Sequence, residues 1–290
     1  MGLRAGWLLG GALAVLAGCA SVDTGPRPTV RLHPFYAQRI DAGGIPVIGS
    51  NAVPAAALAR AAGLIRQMLA HRPDLARWLV ANGYRVAIMA ESEATTDLPE
   101  QAGWTRPDRS DPRLTQCERK HYDTRVGALT DREYWNARAR GMAGPLTSAA
   151  AEDVLGLRSS QYYGETILVH EFGHNVLAAI RAIDPVLSAQ ADAAFADARS
   201  AGRWKDEYAS TTIDEYWAEG TQLWFNSNKL AAFGGRIILN HSDLAEYDPA
   251  LYAALGAAYG DRHRLAGDPF WMSPARVPAG PIPQDTAEVC

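Results

Sequence analysis

Two imidazoles and a carboxylate are the residues of this chain best spaced for chemistry. The run His170-Glu171-Phe172-Gly173-His174 matches H-E-x-x-H inside a helical pattern over 163–180. One turn of helix separates His170 from His174, so both rings project from one face toward a single metal ion. Glu171, beside the first ring, can reach a water at that ion and take its proton. The ion such a donor set suits is Zn2+, which in reactive sites takes three protein ligands and leaves a fourth position for water.

The third ligand needs a second segment. The other histidines, His33, His71, His121, His241 and His263, are scattered, and none follows His174 at a ligand spacing. A carboxylate from another helix is the alternative, and the segment from Tyr208 to Glu219 (YASTTIDEYWAE) offers two. Glu215 and Glu219 lie four apart on one helix face, among Tyr216, Trp217, Leu223, Trp224 and Phe225. Two carboxylates on so aromatic a helix are costly to bury unless paired or metal-bound. Thr212-x-x-Glu215 also spells a capping box, in which Glu215 would only close the helix N-terminus. Spacing alone leaves Glu215, Glu219 or neither as the ligand. It also reads Tyr208 as a packed loop aromatic, and gives Asn175 and Trp217 no chemical role.

These residues need a frame. Apolar spacing predicts a helix over 54–71 and a second over 73–81, with Pro73 at its first turn and Asn82-Gly83 stopping it. A buried strand follows over 84–90. Residues 91–128 are polar and interrupted by proline, and hold Cys117 and His121. The stretch 141–150 (GMAGPLTSAA) reads either as an extended edge strand or as a glycine-containing loop. Further helices are expected over 163–180, 185–201, 213–226 and 249–259. Helix, strand, loops and then a mostly helical second half give an α+β fold. The aromatics Tyr216, Trp217, Trp224 and Phe225 read as helix core, and His121 and His241 as surface or locally bonded.

Composition agrees with a globular body. The chain has 290 residues, 48% hydrophobic and 21% charged, which excludes a disordered chain, a collagen-like repeat and a disulfide-dense mini-protein. A net charge of −4 supplies no drive toward phosphate backbones, so no nucleic-acid partner is expected. Residues 1–18 carry Arg4, an uncharged apolar stretch and small residues, the pattern of a secretory signal. Leu16-Ala17-Gly18-Cys19 resembles a bacterial lipobox, which implies cleavage before Cys19 and acylation of that residue. Ala20 rather than Asp after it points to an outer-membrane lipoprotein of the bacterial cell envelope. Each buried acyl methylene contributes about 0.8 kcal/mol to such an anchor. A plain secretion signal cut near Ala20 is the other reading. Residues 19–30 form a tether, and 31–290 one body. With Cys19 lipidated, Cys117 and Cys290 remain, either paired in an oxidising compartment or as two thiols.

Taken together, His170-Glu171-Phe172-Gly173-His174 and the downstream Tyr208-Ala-Ser-Thr…Glu215-Tyr-Trp-Ala-Glu219 resemble the gluzincin metallopeptidases grouped with anthrax lethal factor and the Pro-Pro endopeptidases. The resemblance covers about a tenth of the chain; the N-terminal half matches no family. It implies a zincin-like metallopeptidase fold with a small upper sheet and a mostly helical lower half. It further implies His170, His174 and Glu215 as zinc ligands, Glu171 as general base, Tyr208 as the hydroxyl facing the oxyanion, and Glu219 as a carboxylate behind the ligands. The expected activity is zinc-dependent endopeptidase cleavage of a peptide or protein substrate, at a membrane held through Cys19. Two further expectations stand beside it: a catalytically inactive, lipid-anchored binding protein of the same fold, and a zinc hydrolase acting on a non-protein bond of the envelope.

Overall fold

Gln38–Ala42 (β1) and Ile45–Gly49 (β2) pair antiparallel around a Gly43-Gly44 turn. The computed structural model describes residues 31–233, 236–282 and 286; the 1–18 signal, the 19–30 tether, Cys19 and Cys290 lie outside them. Ala55–Met68 (α1) and Pro73–Ala81 (α2) follow, their apolar stripes buried. Arg85–Met89 (β3) then enters parallel to β2, and Leu146–Ala150 (β4) parallel to β3, giving the order β1-β2-β3-β4. Three of the four strands are buried along most of their length, as the apolar runs IPVIG and RVAIM require.

The connection from β3 to β4 is a long excursion with its own small core of Leu114, Val126 and Tyr134. It holds Gln116–Lys120 (α3) and Asp131–Arg138 (α4), each started by a reciprocal capping box, Thr115 with Glu118 and Thr130 with Glu133. Cys117, on α3, is disulfide-bonded. The rest of the chain is mostly helical. Ala151–Leu155 (α5), Ile167–Ile183 (α6), Pro185–Ser200 (α7) and Ile213–Trp224 (α8) are followed by a hairpin of Ala231–Phe233 (β5) and Arg236–Ile238 (β6). His241–Tyr247 (α9) and Pro249–Tyr259 (α10) complete it. One large core runs from the sheet through α1 and α6 to α8 and α10. The protein is therefore α+β, a small sheet with a mostly helical remainder.

Several local expectations change. Of the stretch 141–150 only Leu146–Ala150 is strand; Met142 turns back and bonds Ser148 in both directions, at 3.0 and 2.8 Å. The helix expected over 163–180 starts at Ile167, because Asp153 inside the protein accepts the Ile167 N–H at 3.0 Å and fixes its first turn there. Tyr216, Trp217, Trp224 and Phe225 are core, each 2% exposed or less. Among the described residues no helix is long and apolar enough to cross a membrane.

Arg72 staples the start of α2 to the junction between α6 and α7. It meets Asp74 at 2.9 and 2.6 Å and Asp184 at 3.0 Å. The Arg72 hydrogen bond pulls the Asp74 carboxyl down to about 2 against the upward push of burial. A folded-state value below the unfolded one gives stability that is present above pH 4 and fades as pH falls toward 2. Arg72→Met is therefore expected to lower Tm by about 2–4 °C near neutrality. The gap from the parent should close between pH 4 and pH 2 in calorimetric scans; a gap independent of pH would refute the linkage.

Candidate metal centre

His170 and His174 project from consecutive turns of α6, their ring centroids 4.9 Å apart. The helix can approach α8 closely because residue 173 is glycine: a Cβ there would stand 3.3 Å from three atoms of Thr221. That approach brings the α8 carboxylates to the rings. Glu215 Oε2 lies 3.0 Å from His170 Nε2 and 3.5 Å from His174 Nε2. The three donor atoms all lie within 4.8 Å of one another and could hold a metal ion. Tetrahedral bonds of about 2.0–2.1 Å put ligand atoms about 3.3–3.4 Å apart, so this donor set fits Zn2+ in spacing as well as in type.

The two carboxylates are placed differently. Thr212 Oγ1 accepts the Glu215 N–H at 3.1 Å, the first half of a capping box. The reciprocal half is not made, because the Glu215 carboxylate turns to the imidazoles instead. Glu219 sits behind them, its Oε1 3.5 Å from His170 Nδ1 and its Oε2 accepting from Asn228 at 2.7 Å.

Gln222, which sequence reasoning missed, lies nearer to that ring nitrogen. Its Oε1 is 3.1 Å from His170 Nδ1, and its Nε2 donates to the Thr166 carbonyl at 3.3 Å. Gln222 is fully buried, three residues beyond Glu219 on the same helix face. With Nδ1–H donated there, Nε2 is left facing Glu215 and the centre. Gln222→Leu is expected to weaken zinc affinity by about 10–100-fold, measured by competition with a chromophoric chelator. Unchanged affinity would mean that Glu219 alone orients the ring.

Charges within the centre are tightly linked. Burial pushes the His170 pKa down, but the hydrogen bond to Glu215 and the charges of Glu171 and Glu219 outweigh it and raise it to about 10. Burial likewise pushes Glu215 up, and its bonds to both imidazoles carry it well below the usual carboxylate range. Glu171 and Glu219 are raised, in both cases chiefly by burial. A proton held between imidazole and carboxylate occupies the place that a cation would take.

Glu171 reaches the turn at 141–144, where the Ala143 N–H donates to its carboxylate. Gly141 makes room for it: a Cβ there would lie 2.3 Å from Ile167 Cγ2 and 3.3 Å from Glu171 Cγ. Asn175, unassigned from the sequence, fastens the same turn. Its Oδ1 accepts from Gly144 N at 3.1 Å, and its Nδ2 donates to Thr147 Oγ1. Tyr208 lies in a single helical turn before α8, its ring stacked on His170 with centroids 6.2 Å apart and its hydroxyl bonded to Glu215. Burial, the Glu215 charge and that bond all raise its pKa, so the hydroxyl keeps its proton at neutral pH. The backbone before it is tied down, Tyr208 N donating to Thr286 Oγ1 at 2.9 Å.

All these groups open on one cleft of about 1260 Å³, walled by the β3–β4 excursion, the 141–144 turn, α6 and α8. His121 is exposed, and His241 stacks on His263 at 3.8 Å, so both stand outside the centre as expected. Cys117 lies in the excursion, apart from the metal donors.

No protein-family model matches this chain, and no curated protein does. Among solved structures its fold is similar to that of the Pro-Pro endopeptidase PPEP-2 from Paenibacillus alvei, with a TM-score of 0.44 and 17% identity. The similarity covers 72% of this chain and 95% of that one. So distant a likeness transfers no activity.

Proposed function

We propose that the protein is a zinc-dependent endopeptidase of zincin-like architecture, anchored in the bacterial envelope through a lipid on Cys19. The observation that carries this reading is the convergence of His170, His174 and Glu215 within 4.8 Å, with Glu171 beside them and a wide cleft above. His170, His174 and Glu215 would hold the ion. Zinc, when bound, polarises the scissile carbonyl and makes a water molecule acidic near neutrality.

The remaining steps belong to the chain. Glu171, its pKa raised by burial, accepts a proton from the attacking water and returns it to the leaving amine. Tyr208, kept protonated, donates to the oxyanion that develops on the carbonyl. Gln222 and Glu219 hold the His170 ring in place, and the 141–144 turn borders the space where an extended peptide would lie. Cys117 would pair with Cys290, leaving Cys19 for acylation. The intact Glu171 favours an active enzyme over a binding protein that has kept only the fold.

The test is zinc content of the purified protein together with digestion of a random peptide library and of peptidoglycan. About one zinc per chain with cleaved peptides is the expected result. Zinc without any cleavage would leave the binding protein, and products from peptidoglycan alone would leave a hydrolase of a non-protein bond.

A further inference from the structure

The excursion between β3 and β4 presents one guanidinium to the cleft with its outer edge open. Arg138 ends α4, and its Nε donates to Glu118 Oε1 at 3.0 Å. Glu118 is 2% exposed and fully engaged. Its Oε1 also accepts the Tyr134 hydroxyl at 2.9 Å, and its Oε2 accepts the Thr115 N–H at 2.8 Å. The planar group is thus gripped along one side. Beyond Glu118 and the neighbouring Tyr134 hydroxyl, no acceptor among the described residues meets the guanidinium, and the side chain, 27% exposed, lines the cleft.

Other cations along this cleft are already engaged. Lys229 Nζ sits 2.8 Å from Glu165, and Arg113 binds Asp111 through Nε and Nη2 at 3.0 and 2.7 Å. Arg138 opens on the same cleft as His170, Glu171 and Tyr208. Three residues earlier on the same helix face, Trp135 meets Trp104 with ring centroids 4.9 Å apart, forming an apolar shelf beside it.

We propose that Arg138 is a specificity-determining residue that receives a carboxylate borne by the peptide substrate, close to the bond to be cut. This rests on the peptidase reading above. A guanidinium fixed at Nε offers its two terminal nitrogens in the geometry that a carboxylate accepts bidentately. The other cations lining the cleft, Lys229 and Arg113, are held by Glu165 and Asp111, so the preference is confined to one position of the peptide.

The experiment uses zinc-loaded full-length protein and dodecapeptides paired as Glu against Gln at each position, with a further pair having a free or amidated C-terminus. Binding is measured on Glu171→Gln protein by fluorescence anisotropy, and cleavage on the parent. At one position Glu is expected to bind about 10–100-fold more tightly than Gln. In Arg138→Met that ratio should fall to about one, and Arg138→Lys, with charge but no fork, should keep part of it. Discrimination only between free and amidated peptides would identify the carboxylate as the chain terminus. Ratios near one at every position of the parent protein overturn the assignment without recourse to any variant, as does a ratio that survives in Arg138→Met. Peptides bound with the expected ratio but never cut would overturn hydrolysis and keep Arg138; no peptide binding at all overturns both.

Discussion

Replacing Glu171 by glutamine is expected to lower kcat/KM on any cleaved peptide by about 10²–10⁴-fold while leaving the bound zinc unchanged. The side chain stands beside the three grouped donors but is not one of them. Glutamine preserves its size and its ability to accept the Ala143 N–H, but cannot take up a proton from water. Burial moves the Glu171 pKa upward against the pull of His170 and His174, toward the range where a base both accepts and returns a proton near neutrality. Zinc content by atomic absorption alongside steady-state kinetics separates the outcomes. Retained activity would refute the role, and lost zinc would make Glu171 a ligand instead.

The second large effect is on stability. Arg140 is 7% exposed, and it ties the excursion to the sheet and α5. Its Nε donates to Glu152 Oε1 at 2.5 Å, its Nη1 to the Glu93 carbonyl at 2.6 Å and Asn136 Oδ1 at 2.5 Å, and its Nη2 to the Ala90 carbonyl at 3.2 Å. Glu152 Oε2 is buried with no hydrogen-bond partner, so Arg140 is the main compensation for that charge. Arg140→Met would strand the carboxylate at a cost of about 3–5 kcal/mol. For a domain of this size the Tm should fall by on the order of 10 °C. The double change Arg140→Met with Glu152→Leu should recover much of the loss in urea unfolding, because the unpaired charge is gone. A double variant no better than the single one would place the loss in the carbonyl contacts to Glu93 and Ala90.

What the sequence made legible was mostly local. His170, His174 and the Glu215–Glu219 pair stand out because one turn of helix fixes their relation whatever the rest of the chain does. That Glu215, rather than Glu219, joins the imidazoles depends on how α8 crosses α6, which no spacing within α8 encodes. Gln222 and Asn175 were passed over for the same reason, since a buried amide acquires meaning only from what lies across the helix interface. Arg138 and Glu118 meet across twenty residues of a polar excursion with little apolar pattern. The short helices there carried a signal nonetheless: Thr115-x-x-Glu118 and Thr130-x-x-Glu133 are capping boxes, and both are formed. The β1–β2 hairpin was marked by Gly43-Gly44, but Pro46 interrupts the strand pattern that would have completed it.

Asn175 carries a consequence for how this scaffold can change. It lies one residue past His174, so a single rigid rod bears both the ion-facing rings and the clamp on the 141–144 turn. The turn closes the excursion, and its spacing from the two rings is set along one helix, away from the excursion's separate core of Leu114, Val126 and Tyr134. Divergence, grafting or insertion around that core can therefore reshape the wall of the cleft while the two rings and the turn keep their alignment.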